Sequence, residues 1–123
     1  MTTVVAYTTI SPSTRPILWI NAARKDFDAF PAGARLDCAM ALTIAADGEM
    51  AGIAKPMRGL GSGVFEIALP FDGNAYRVVY AVRIADEIWV VHAFQKKSTQ
   101  GSKTPKQEID LIKYRLKRLK EMP

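Results

Sequence analysis

Residues 65 to 96 form three runs of strand-like sequence broken twice by turn residues. Phe65, Ile67 and Leu69 alternate with Glu66 and Ala68, the period of two that sends successive side chains to opposite faces of a strand. Asp72-Gly73-Asn74 is a tight-turn signal, and Tyr76 to Ile84 beyond it carries the β-branched and aromatic residues that suit a pleated surface. Ala85-Asp86 then turns the chain into Glu87 to Lys96. Turns this short join only antiparallel neighbours, so the centre of the chain is predicted to be an antiparallel β-meander.

The flanking segments are helical. Ile17 to Ile20 reads as a short strand, and Asn21 offers a side-chain oxygen to cap a helix running to about Phe30. Pro31 separates it from a second helix, Ala32 to Asp47, which Gly48 ends; the two make a helical hairpin. Lys55 to Gly63 reads as a loop. Near the C-terminus, Thr104, Pro105 and Gln107 spell a capping box, predicting a helix that starts there. Ile109, Ile112, Leu116 and Leu119 give that helix one apolar stripe, while Lys113, Arg115, Lys117, Arg118 and Lys120 crowd the remainder as a solvated face or an RNA contact. The expected fold is α+β: an N-terminal strand, a helical hairpin, the meander and a C-terminal helix. At 123 residues it is one domain, expected over 17–120, behind a flexible arm at 1–16 that is rich in Thr, Ser and Pro.

Charge narrows the partners. The 17 Lys and Arg exceed the 12 Asp and Glu, and the excess is uneven: residues 1–54 are net −1 and residues 55–123 net +6. That asymmetry points to an anionic partner such as nucleic acid. Cys38 is the single cysteine, which excludes an intrachain disulfide and a thiolate zinc site. His92 is the single histidine, without clustered carboxylates nearby in sequence, so neither a metal nor another cofactor is expected. No basic residue precedes Arg15, so no secretory signal is expected, and no apolar run approaches the roughly 20 residues that span a bilayer. The expectation is a cytoplasmic protein with no membrane partner. Gly59-Leu60-Gly61-Ser62-Gly63 precedes a strand rather than a helix, which argues for a turn rather than a nucleotide fingerprint. Gly101-Ser102-Lys103-Thr104 lacks the glycines of a phosphate-binding loop.

Four further strings occur in order on this framework: Lys55-Pro56-Met57-Arg58-Gly59-Leu60-Gly61, Phe65-Glu66-Ile67, Tyr76-Arg77-Val78-Val79-Tyr80, and His92-Ala93-Phe94-Gln95-Lys96-Lys97 followed by Thr104-Pro105. Their order and spacing resemble the phage-derived, HigB-like branch of the RelE/ParE toxin superfamily. The resemblance implies a RelE-like fold and the toxin of a type II toxin–antitoxin pair. Such toxins are usually ribosome-dependent endoribonucleases that cut messenger RNA without a metal. The implied partners are a helix-turn-helix antitoxin, the ribosome and mRNA.

Cleavage of this kind needs a base for the ribose 2′-OH, a cation for the phosphorane and an acid for the leaving 5′-oxygen. By resemblance, Arg77 faces the scissile phosphate, where its fork suits two phosphate oxygens. Lys97 matches a basic position at the end of the last strand, either holding phosphate or donating a proton. Where the best-known relatives carry two lysines, this chain has Glu66 and Ala68, and many HigB-like relatives have arginine in place of Ala68. Glu66 is then either a carboxylate base or the partner of Arg77. His92 suits the acid role by its neutral-range titration, against a packed structural role. Lys55, Arg58, Lys96 and Lys103 are the expected RNA contacts, and Trp19, Trp89, Tyr76 and Tyr80 are expected to pack in the core or on the sheet face rather than to stack on bases. Two other readings compete with the ribonuclease: a same-fold phage-related protein with little catalysis, and a ParE-like inhibitor of DNA gyrase.

Overall fold

The computed structural model describes residues 14–84, 86–96 and 103–121. The expected N-terminal arm therefore lies largely outside the described residues, as does Lys97. The element order is β1 (Ile17–Trp19), α1 (Asn21–Asp28), α2 (Ala32–Ala46), β2 (Ala54–Pro56), β3 (Val64–Phe71), β4 (Asn74–Ile84), β5 (Glu87–Lys96) and α3 (Lys106–Lys120). The expected α+β class and the meander are present. The five strands form one sheet in the order β1-β5-β4-β3-β2, with β1 parallel to β5 and the remaining pairs antiparallel.

Local chemistry accounts for the turns. Asp72 and Gly73 both take positive φ, 55° and 81°, the pairing that a two-residue hairpin needs to match strand twist. At the end of α2, Gly48 at φ 91° lets its own N–H reach Ala45 O and the Glu49 N–H reach Ile44 O, satisfying two terminal carbonyls.

Three expectations are corrected. Lys55 belongs to a strand, β2, because Ala54, Lys55 and Pro56 pair with Ile67, Glu66 and Phe65. Asn21 is the first residue of α1 rather than its cap, and Ile20 precedes it in extended conformation. Thr104 does not cap α3: Pro105 occupies the cap position, and no side-chain cap bond forms there. Pro105 still presets the turn, since its carbonyl accepts from the Glu108 and Ile109 N–H groups.

The sheet is covered on both sides. On one face α1 and α2 bury Phe27, Phe30, Cys38 and Leu42 against Ile67, Tyr76, Val78, Tyr80 and Val90. On the other, α3 lays Ile112, Leu116 and Leu119 on Val64, Val79, Ala81 and Val91. A bulge decides which β5 side chains reach α3. Val79 pairs with His92 but Tyr80 pairs with Val90, so Val91 is an extra residue and both Val91 and His92 turn toward the helix.

Candidate active site under the C-terminal helix

Strand register gathers the chemistry on the α3 face. Glu66 of β3, Val79 of β4 and His92 of β5 are successive partners in one row, and Arg77 sits two residues along β4, between Ala68 and Phe94. Alternation puts Arg77 and Val79 on the face opposite Tyr76, Val78 and Tyr80, as the sequence predicts. Glu66, Arg77 and His92 are each no more than 5% exposed, and they are the buried charged or polar side chains among the described residues.

Each is held by specific partners. Arg77 Nη1 donates to Glu66 Oε1 at 3.1 Å, and the Thr104 hydroxyl donates to the other oxygen, Oε2, at 2.7 Å. A charge taken out of water this completely is tolerated when it is paired and hydrogen-bonded. His92 lies between two α3 residues: Nε2 is 2.6 Å from Glu108 Oε1, and Nδ1 is 2.8 Å from Arg115 Nη1, which also donates to Val91 O at 3.0 Å. An arginine can only donate, so Nδ1 is the acceptor and the imidazole proton resides on Nε2, directed at Glu108. The ring stacks on Phe94, with centroids 5.3 Å apart and planes at 27°.

The surrounding cations fall unevenly. Lys55 is the register partner of Glu66 on the edge strand and is exposed. Lys96 pairs with Ala75, which puts it on the Arg77 face, and its Nζ donates to Lys103 O at 3.1 Å. Lys103 is exposed beside it. Arg58 is exposed in the turn beyond β2. Ala68, directly across from Arg77, leaves that position without a second cation.

Three residues of this arrangement were not legible as site residues: Thr104, Glu108 and Arg115. Glu108, Ile112, Arg115 and Leu119 recur at the i, i+4, i+7, i+11 spacing of a single helix stripe, so the charges were interleaved with the apolar contacts from the start. Among the described residues no group of three or more His, Cys, Asp or Glu is placed to hold a metal ion. No described helix is long and apolar enough to cross a membrane.

The mixed α+β architecture, a five-stranded sheet with three helices, is consistent with a small α+β toxin fold. Residues 25–117 match the family model described as phage derived protein Gp49-like (DUF891), and the chain belongs to that family, part of the RelE/ParE-like toxin superfamily. A comparison with curated proteins gives no match.

Proposed function

We propose that this chain is the toxin of a type II toxin–antitoxin pair, of the HigB-like branch, and that it cleaves ribosome-bound messenger RNA through Glu66, Arg77 and His92. The observation that carries the reading is the convergence of these three groups from three neighbouring strands on one face. The centre strand supplies the cation, and the flanking strands supply a base on one side and a proton donor on the other. Two strand spacings separate Glu66 from His92, roughly 10 Å, a span able to straddle a phosphodiester whose attacking and leaving oxygens lie in line.

The present partners suggest how the roles are taken up. The Thr104 hydroxyl donates a hydrogen bond to Glu66 Oε2, the position from which a ribose 2′-OH would first hydrogen-bond to a carboxylate base and then give up its proton. Glu108 accepts the hydrogen bond from His92 Nε2–H. With α3 lifted and Arg115 withdrawn from Nδ1, the ring can take a second proton there, and that imidazolium would give its Nε2 proton to the departing 5′-oxygen and return to the neutral ring. Arg77 meets the charge that builds on the phosphorane. Thr104 and Glu108 are four residues apart, so lifting this one turn uncovers base and acid together. The ribosome would position the message against that opened face.

The test is primer extension on a defined message, translated or naked, with purified protein added. Cuts confined to the translated message, lost by about 10²-fold or more in a folded Glu66→Gln protein, support the reading. Intact messages would favour the low-catalysis reading, to which the buried Glu66–Arg77 ion pair also lends itself as a structural element. Intact messages with inhibited supercoiling would favour gyrase.

A further inference from the structure

A cavity adjoins the buried row through Arg115, which lines it and also contacts His92. It is an open groove of about 470 Å³ between the C-terminal half of α3 and the β1–α1 junction, lined by Trp19, Asn21, Trp89, Tyr114, Arg115 and Arg118 among others. Its first lining residue on α3, Tyr114, lies six residues beyond Glu108, roughly 9 Å farther along the helix.

Its walls are aromatic and fixed. Trp89 Nε1 donates to Glu87 Oε1 at 3.0 Å, which sets the plane of its indole. Trp19 leans on Phe27, with centroids 4.8 Å apart, and the Arg24 guanidinium lies 5.1 Å from its ring centroid. Tyr114 is 56% exposed, and Arg118 lies 5.9 Å from its ring centroid while Nη1 donates to its hydroxyl at 3.2 Å. Two partly buried indoles and an exposed phenol leave aromatic surface in water, so they gain when a flat ligand covers them. The lining holds two guanidiniums and no carboxylate. Arg115 is engaged with Val91 and His92 through Nη1, which leaves Arg118 as the guanidinium facing outward at the rim.

We infer that this groove takes an unpaired nucleobase of a single-stranded nucleic acid, stacked on the aromatic walls, with Arg118 on a flanking phosphate. An aliphatic ligand has no use for the arginines, and a bare anion has none for the rings. A nucleotide uses both, because every base has a π-face and every linkage a charge. The inference stands apart from cleavage, since binding is measured on the isolated protein without ribosomes.

Both tryptophans of the chain line the groove, so intrinsic fluorescence reports on it directly. The full-length protein is titrated with a six-nucleotide single-stranded RNA, the DNA of the same sequence, and an abasic hexamer carrying only sugar and phosphate. The expected result is saturable quenching by at least one of the base-bearing strands, with the abasic strand binding at least about 5-fold more weakly. Preference between RNA and DNA identifies the natural source. Tyr114→Ala, at an exposed position that leaves the core intact, weakens binding by about 5- to 100-fold. Arg118→Ala lowers the salt-dependence slope by about one phosphate contact. Equal binding of the abasic strand, or unchanged affinity in Tyr114→Ala, overturns the inference. So does quenching by a proline-rich peptide with none from either oligonucleotide, which would assign the groove to a protein partner.

Discussion

The two faces of this sheet are closed in opposite ways. Under α1 and α2 the contact is built from an apolar cluster, from Phe27 and Leu42 down to Ile67 and Val90, and none of the three buried charged or polar residues among the described residues lies there. Under α3 an apolar patch around Ile112 and Leu116 adjoins a buried ion pair and an imidazole clamped between two charged side chains. An apolar contact needs only matched volume and degrades in proportion to what is removed. A buried charge needs its partner, and removing one member costs more than removing both. The first face makes the domain; the second holds chemistry in place at some risk to stability.

The largest effect expected follows from that asymmetry. Arg77→Met strands the Glu66 carboxylate under α3 and should destabilise the fold by about 3–5 kcal/mol. Adding Glu66→Met should recover most of the loss, as followed by urea denaturation. A double variant no more stable than the single would break the comparison, because the face would then behave as ordinary packing. Activity assays of Arg77→Ala are confounded for the same reason; Glu66→Gln also removes one charge of the pair but keeps a carbonyl oxygen for Arg77 to donate to, so once shown to be folded it is the better probe of the chemical step. On the opposite face, Leu42→Ala should cost about 3 kcal/mol, within the range set by the cavity left behind, and no second substitution should rescue it by charge removal.

The meander was legible because Asp72-Gly73 and the alternating Phe65 to Leu69 permit little else, and Gly48 marks where α2 must stop. β2 was not, since Ala54, Lys55 and Pro56 are too few to show a period and end in a proline that suits an edge. Thr104 shows a subtler limit. A hydroxyl before a helix serves equally as a cap or as a long-range donor, and only the approach of Glu66, 38 residues away in sequence, selects the second use. The pairing of Glu66 with Arg77 was open to the sequence, as both fall on adjoining strands of one hairpin. The clamp on His92 was hidden because charges on a helix near a basic C-terminus resemble a solvated face, and Trp19 and Trp89 resembled packing because a groove is made by elements distant in sequence.

A smaller effect belongs to the apolar face and appears only in alkali. Burial, helped by Asp37, pushes the Cys38 thiol from its ordinary 9.0 up to about 12. Burial does the same to the Tyr80 phenol, from 10.0 to about 12. Both groups hold their protons more tightly when folded, so their contribution is complete below the ordinary value and is lost as pH rises toward about 12. Denaturation midpoints should fall from about pH 9 upward, with Cys38 accounting for about 1 kcal/mol by pH 10. A Cys38→Ala protein should lose that part of the slope, and one that keeps it would place the alkaline sensitivity elsewhere.

The smallest effect tests the clamp on His92 and sharpens the contrast most. Arg115 can only donate to Nδ1, so the structure requires a neutral ring with its proton on Nε2, shared with Glu108. Glu108→Gln preserves shape and keeps a carbonyl oxygen able to accept that proton, while removing the charge. The side chain is about one-fifth exposed, so water moderates the loss, and about 0.5–1 kcal/mol is expected. The loss should register as faster amide exchange in α3 with α1 and α2 unchanged, since the apolar face does not depend on this bond. Nitrogen NMR of the single histidine supplies the independent check: the Nε2-protonated tautomer should persist in Glu108→Gln and become mixed in Arg115→Met, where the demand on Nδ1 is gone. A ring that stays in one tautomer without Arg115, or exchange that speeds equally in all three helices, would mean that α3 is held by its apolar patch alone.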